Sequence, residues 1–307
     1  AFPKTFLGSF RSLTLLDVYR DFWIDLAARD PGYAAARDAT LPLLAKGQCA
    51  QEDLPALLLL ARRLTGLARL DIKHVVIDEA QDMSPLSIYA LRRLFGHDAF
   101  TLVGDLMQGV HGDAGVRDWR ALCEGVFEAR PVIATLSRSY RSTVEIMQLA
   151  FHVIGRHPVG GVELAQPTLR HGERPRHTEI KSNAERVAAI ARVARGWLDE
   201  GFHGIAIVER TEAQARRLHK ALLEELPQAR LLSVGQTDFE GGVLVMGASV
   251  VKGLEFDGVI IASAEEAVYP DDRFHAKLFY VLCTRPLHRL HLVHRGPLCA
   301  HVAGALD

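Results

Sequence analysis

The sequence predicts an α/β fold in which parallel sheets are flanked by helices and entered through a helical lead-in. Apolar residues recur at three-to-four spacing through about residues 10–70, with no β-branched run among them. From Lys73 onward, short β-branched runs alternate with helical stretches, and several runs end in polar or acidic residues. After Pro158–Gly161, Pro167 and the basic stretch RHGERPRH at 170–177, the same alternation returns. These breaks divide the chain into a lead-in at 1–70, a first α/β segment at 71–157 and a second at 158–307.

In the lead-in, Leu13, Leu16, Val18, Tyr19, Phe22, Trp23 and Leu26 mark one helical face. Leu54, Leu57, Leu58, Ala61, Leu64 and Leu67 mark another. HVVID at 74–78, AFTLVGD at 99–105 and PVIATL at 131–136 read as strands, with a helix at Pro85–Phe95 after the first. In the second segment, strands are expected near 177–181, 204–208, 231–234, 243–247, 258–262 and 289–294. Helices are expected at Ala184–Glu200, Glu212–Leu226 and about 275–283. A parallel sheet of this kind normally carries its functional groups at the strands' carboxyl ends.

Composition narrows the function classes. Lys+Arg 36 against Asp+Glu 37 leaves a formal net charge of −1, so nucleic acid cannot be gripped by bulk positive charge and needs a local groove. The four cysteines, Cys49, Cys123, Cys283 and Cys299, form no CxxC pair and have no zinc-ligand spacing, which fits a reducing cytoplasm. The fourteen histidines show no HExxH or paired ligand spacing and read as structural or surface residues. The longest apolar run, LPALLLLA at 54–61, is far short of the roughly 20 residues of a membrane span. No secretory signal is expected from AFPKTFLGSFRSLTLL.

The sharpest local signal is VVIDEAQD at 75–82. In phosphoryl-transfer sites one carboxylate of such a pair holds Mg²⁺ through water and the other orients or deprotonates the attacking water. Asp78 suits the first role and Glu79 the second. Read alone, the segment is also a solvated strand end with a cap before Pro85; Gln81 and Asp82 favour chemistry. In TLVGDLMQG at 101–109, Asp105 and Gln108 leave the same edge one strand over. A neutral amide there can hydrogen-bond a γ-phosphate or the attacking water, or serve only as a polar turn. Arg141 in RSYRST has a planar, permanently charged fork suited to phosphate, with Ser142 and Thr143 as candidate caps. Lys252, Gly253 and Glu255 precede a buried strand, and Arg285 ends a helix before the last one; each is bland in isolation.

In order, DEAQD, VGDLMQ, SYRST, KGLEFD and FYVLCTR resemble Walker B and motifs III to VI of superfamily 1 helicases of the UvrD/Rep type. The resemblance covers about residues 73–295, and HVVIDEAQDMSP and CTRPLHRL look most like the helicase IV or HelD-like branch. It implies RecA-like parallel sheets, ATP and Mg²⁺ as cofactors, and single-stranded DNA as partner. By position, Asp78 would serve Mg²⁺, Glu79 would be the catalytic acid or base, and Gln108 would sense the γ-phosphate. Arg141 and Arg285 would meet the phosphates, with Gly253 beside the nucleotide and Glu255 on its ribose.

The sequence contains no GxxxxGK[ST] loop, and Lys46-Gly47 and Lys252-Gly253 run in reverse order. With the resemblance, this implies the carboxyl-terminal portion of a longer ATP-dependent 3′–5′ DNA helicase with a role such as DNA repair. Its missing amino-terminal part would be a partner, and this chain alone would be inactive. The family's base-stacking aromatic is replaced by His111 and Gly112, with Trp119 displaced along the chain; Ser249 stands where others touch the DNA backbone. Pro286 disfavours helical geometry at Arg285. The basic set Arg170, His171, Arg174, Arg176 and His177 reads as a solvated linker in preference to a DNA track. The rival class is a non-enzymatic module with a degenerate helicase fold that docks RNA polymerase or another partner.

Overall fold

The computed structural model describes residues 14–66, 70–109, 115–136, 138–157, 166–167, 170–236 and 241–306. Two compact units emerge: residues 1–104 with 114–132, and residues 105–113 with 133–307. His111, Leu13 and Leu67 lie outside the described residues.

The first unit opens with three helices, α1 (Leu15–Arg29), α2 (Ala34–Leu44) and α3 (Leu54–Thr65). Thr14 starts α1 by accepting the Asp17 N–H while Asp17 returns the bond to the Thr14 backbone. Pro55 sits in the first turn of α3, and Gly66 ends it in the left-handed conformation. Tyr19, Leu44 and Leu57 form the buried centre of this bundle, flanked by Leu16, Trp23, Leu41 and Leu60. The Tyr19 hydroxyl donates to Asp53 Oδ1 at 2.8 Å, and both residues are buried. That bond satisfies a carboxylate that would otherwise be costly inside.

A two-stranded parallel sheet follows, β1 (Val75–Ile77) beside β2 (Phe100–Leu102), linked by α4 (Pro85–Phe95). Ser84 caps α4, Pro85 opens it and Gly96 closes it in the left-handed region. Arg62 of α3 donates to the Leu94 carbonyl at 3.1 Å, fastening the lead-in to α4. Val76 is 67% exposed, so β1 is not the buried strand its composition predicts. Helix α5 (Trp119–Val126) ends the unit. Residues 131–136, read as a third strand, form none: Val132 is 96% and Leu136 84% exposed, and Pro131 removes a donor.

The second unit contains a short parallel pair, β3 (Arg138–Ser139) and β4 (Gln166–Pro167), and α6 (Val144–Gly155). Its body runs β5 (Arg176–Glu179), α7 (Asn183–Asp199), β6 (Gly204–Glu209), α8 (Glu212–Leu222), β7 (Arg230–Leu232), β8 (Gly242–Gly247), β9 (Phe256–Ile261), α9 (Arg273–Cys283) and β10 (Pro286–His294). The strands form a six-stranded sheet in the order β5-β10-β9-β6-β8-β7, and every pairing is parallel. Adjacent residues in β6, β8 and β9 are buried alike, as a parallel sheet covered on both faces requires. Ile205, Ile207, Val243, Val245 and Ile260 face Ile190, Ala194 and Trp197 of α7 and Ala215, Leu218 and Leu222 of α8. On the other side, α6 and α9 pack together and against β10. No helix among the described residues is long and apolar enough to cross a membrane.

At the start of α6, Glu145 accepts from His171 Nδ1 at 2.8 Å and from the Gly172 N–H at 2.8 Å. The His171 hydrogen bond lowers the Glu145 carboxyl to about 2; burial opposes this and the Gly172 N–H adds to it.

Two outcomes follow from these contacts. Tyr19→Phe leaves Asp53 short of a donor and should destabilise the lead-in by about 1.5–3 kcal/mol in urea unfolding. Because the folded Glu145 carboxyl lies below its unfolded value near 4.3, its contribution is complete above that pH and disappears as pH falls toward 2. Thermal melts should therefore show His171→Ala losing less stability between about pH 5 and 3 than the parent chain.

Candidate functional site

The first unit carries the paired acids. Asp78, just past the end of β1, is exposed, and its Oδ1 accepts the Glu79 N–H at 2.8 Å. Glu79 has φ 51 and ψ 33, making it the one non-glycine residue with positive φ among the described residues. A carboxylate residue rarely adopts that conformation without surrounding constraint. The Glu79 side chain is held by Gln81, buried at 1% exposure, whose Nε2 donates to Glu79 Oε2. The Gln81 backbone carbonyl accepts from Val116 at 3.0 Å. A Cβ at Gly104 would lie 2.1 Å from Gln81 Oε1, and one at Gly115 would lie 2.4 Å from the Gln81 carbonyl oxygen. Gly104 thus makes room for the amide that aims Glu79, and Gly115 for the backbone carbonyl of the same residue. Sequence reading noted Gln81 only as a neighbour of the acids; the clearances at Gly104 and Gly115 are visible only in three dimensions.

Trp119 opens α5, half-buried, with ring atoms 3.1 Å from where a Gly104 Cβ would stand. Part of the proposed stacking ring therefore packs on backbone.

The second unit gathers most of the remaining candidates. Gln108 Nε2 donates to Asp105 Oδ2 at 2.9 Å, and Gln108 Oε1 accepts from Arg285 Nη2 at 2.5 Å. The amide is therefore fixed in one orientation between an anion and a cation. Arg285 is 1% exposed and also donates to the Val281 carbonyl at 3.2 Å and to Thr284 Oγ1 at 3.1 Å. Lys252 donates to the Gln108 carbonyl at 2.9 Å, and Lys277 of α9 to the Leu106 carbonyl at 2.9 Å. Burial pushes the neighbouring Tyr280 phenol above its ordinary range; the Asp105 charge adds to this and Arg285 opposes it.

Arg141 pairs with Glu255 at 2.7 Å, both partly exposed, so these two candidates already neutralise each other. Ser142, buried, donates to the Pro286 carbonyl at 2.7 Å, and Thr143 caps α6. The Phe256 N–H donates to the Arg285 carbonyl at 3.2 Å. Arg141 and Glu255 thereby lie near the amino ends of β9 and β10, as do Gln108 and Arg285, and Gly253 precedes Glu255 in the same turn. The carboxyl-end expectation fits Asp78 and Asp105 but not this sheet, whose candidates precede their strands. Ser249 follows the carboxyl end of β8 and is exposed. Gly253 has φ +78, a conformation that favours glycine at this turn.

The basic linker residues are engaged locally. Arg170 reaches the Arg141 carbonyl at 3.1 Å and His288 Nδ1 at 2.6 Å, and Arg176 pairs with Glu173. At the carboxyl edge, sequence reading passed over Glu209, 3% exposed, which accepts from Ser263 Oγ at 2.8 Å beside Arg186. Burial raises its carboxyl above the ordinary range, against the hydrogen bond from Ser263 and the charge of Arg186.

No family model matches the chain. The chain is 27% identical over 174 residues to the ATP-dependent DNA helicase srs2 of Schizosaccharomyces pombe, covering 54% of this chain and 19% of that protein. The chain thus spans about a fifth of that relative's length. It is also similar to the crystal structure of the C-terminal domain of a possible DNA helicase from Lactobacillus plantarum WCFS1, with 27% identity, a TM-score of 0.45, and coverage of 55% of this chain and 96% of that one.

Gly104→Ala drives a methyl group into the Gln81 amide and should destabilise the first unit by about 1–3 kcal/mol in denaturant unfolding. Gly125→Ala in α5, where a Cβ meets nothing within 4 Å, should be neutral or stabilising by up to about 1 kcal/mol. Equal effects at the two positions would remove the packing role assigned to Gly104.

Proposed function

We propose that this chain is the carboxyl-terminal portion of an ATP-dependent, UvrD-like 3′–5′ DNA helicase or translocase of the helicase IV type, supplying Walker B and the later motifs. The carrying observation is the Asp105–Gln108–Arg285 chain, in which a helicase-type sensor amide is held between two charges. Similarity to a protein named an ATP-dependent DNA helicase supports the reading.

The proposed parts are a helical lead-in at 1–70, the end of a first RecA-like domain over 71–157 and a second RecA-like domain over 158–307. Segments 105–113 and 133–157 are then first-domain sequence that packs within the second compact unit. The open faces of β1 and β2 suit a sheet completed by a segment outside this sequence, which would bring the P-loop.

The residues present suit a nucleotide and its ion. Asp78, exposed at a strand end, would hold Mg²⁺ through water, and Mg²⁺ would neutralise charge developing on the phosphates. Glu79, aimed by Gln81, would accept the proton of the attacking water. Arg141 would turn from Glu255 toward phosphate, freeing Glu255 for the ribose. Arg285 is enclosed, so it acts in this conformation through Gln108; reaching phosphate requires that amide to move. Single-stranded DNA would be the polymer moved, with Trp119, Ser249 and His111 as contact candidates.

The test is steady-state ATP hydrolysis by the longer protein with and without single-stranded DNA. DNA-stimulated turnover is expected, and Glu79→Gln should lower kcat by about 10²–10⁴-fold. Unchanged turnover in Glu79→Gln would eliminate the motor. The 307-residue chain alone should show no appreciable turnover, and robust hydrolysis by it would overturn the role assignment.

A further inference from the structure

Away from these residues, the second unit brings together two histidines and an aspartate from three separate segments. His157 follows α6, Asp271 precedes α9, and His301 lies in the turns after β10. One ligand atom from each lies within 4.8 Å of the other two. We propose that His157, Asp271 and His301 form a binding site for one divalent transition-metal ion of the zinc type.

His301 carries the inference. Its side chain is 0% exposed, and its Nε2 lies 2.9 Å from the Pro270 carbonyl oxygen. A carbonyl can only accept, so Nε2 holds the proton and Nδ1 presents a lone pair. That Nδ1 is buried without a hydrogen-bond partner and faces Asp271 Oδ1 from 3.8 Å. Two acceptors face each other there, an arrangement that a cation between them would resolve. An ordinary histidine–aspartate hydrogen bond accounts for His157, whose Nε2 is 3.0 Å from the same oxygen, but not for His301.

The surroundings match what metal ligands need. The Pro270 carbonyl fixes one imidazole's tautomer, and Arg156 Nη2 holds Asp271 Oδ2 at 2.7 Å, leaving Oδ1 to the histidines. Tetrahedral zinc with bonds near 2.0–2.2 Å needs ligand separations of roughly 3.3 Å. The two Asp271–histidine distances, 3.0 and 3.8 Å, bracket that value. Two nitrogens and one oxygen suit zinc and its neighbours, whereas Mg²⁺ and Ca²⁺ prefer all-oxygen sets. A cavity of about 440 Å³ lined by Glu265, Pro270, Asp271 and Arg295 borders Asp271. The ion would tie the end of α6, the approach to α9 and the carboxyl-terminal turns into one structural joint.

The test is titration of the chelator-stripped 307-residue chain with Zn²⁺ against a chromophoric competitor, and with Co²⁺ followed in the visible range. One Zn²⁺ per chain should bind with micromolar affinity or better, and Co²⁺ should give the intense bands of a tetrahedral site. His157→Ala and Asp271→Asn, at positions that are not fully buried, should each weaken binding by at least about 100-fold; Arg156→Ala should weaken it about 10-fold. His171→Ala, at a histidine elsewhere, should bind as the parent does. No stoichiometric binding, only the weak bands of octahedral Co²⁺, or equal binding by His157→Ala and Asp271→Asn would each overturn the site. The Co²⁺ spectrum of the unaltered chain decides even where a variant fails to fold.

Discussion

A primary amide held between a carboxylate and a guanidinium has one orientation that satisfies both ends, and the half-buried Gln108 sits in that situation. Its amide hydrogens go to Asp105 and its oxygen to Arg285. Reversing it would oppose N–H to N–H and oxygen to oxygen, so rotation is disfavoured. Much of the second unit's local order is built on that fixed point. Lys252 and Lys277 hold the backbone of the same short segment from two other elements, and Arg285 links it to the start of β10. Any ligand that competes for the Gln108 amide therefore acts on three elements at once.

The acids of the first unit show the same economy by a different device. Glu79 is held in a backbone conformation that non-glycine residues avoid, and its side chain is aimed by a buried amide. Strain of this sort persists only where the surroundings over-determine it. The surroundings here include absent atoms, since Gly104 and Gly115 are the two positions where a methyl group would strike Gln81.

What was legible in the sequence follows the range of the forces involved. Helix α4 was readable to its ends because Pro85, Phe95 and Gly96 act within one turn of their own positions. The buried strands of the second sheet were readable because β-branched runs closed by polar residues are a local pattern. The order β5-β10-β9-β6-β8-β7 was not, since parallel pairing joins residues more than a hundred positions apart, as His291 and Arg176 are. Residues 131–136 have strand composition but no pairing partner, and a strand without one is only an exposed run. The motif residues were legible as residue types; their present partners were not. Arg141 and Glu255 pair with each other, and Arg285 is enclosed.

The distinction between type and partner also separates the unit's buried and exposed charges. Arg141 and Glu255 meet partly in water, where an ion pair contributes little and exchanges easily. Arg285 is enclosed where it meets the half-buried Gln108, and losing that partner would leave a buried guanidinium nitrogen short of an acceptor. On the proposed reading, a nucleotide approaching this patch would displace the exposed pair at small cost and disturb the Arg285–Gln108 pair only with larger binding energy. On that reading the exposed pair would serve recognition and the enclosed arginine transmission of a signal. The two arginines, alike in sequence, thus differ in what surrounds them, one in an exposed ion pair and one enclosed.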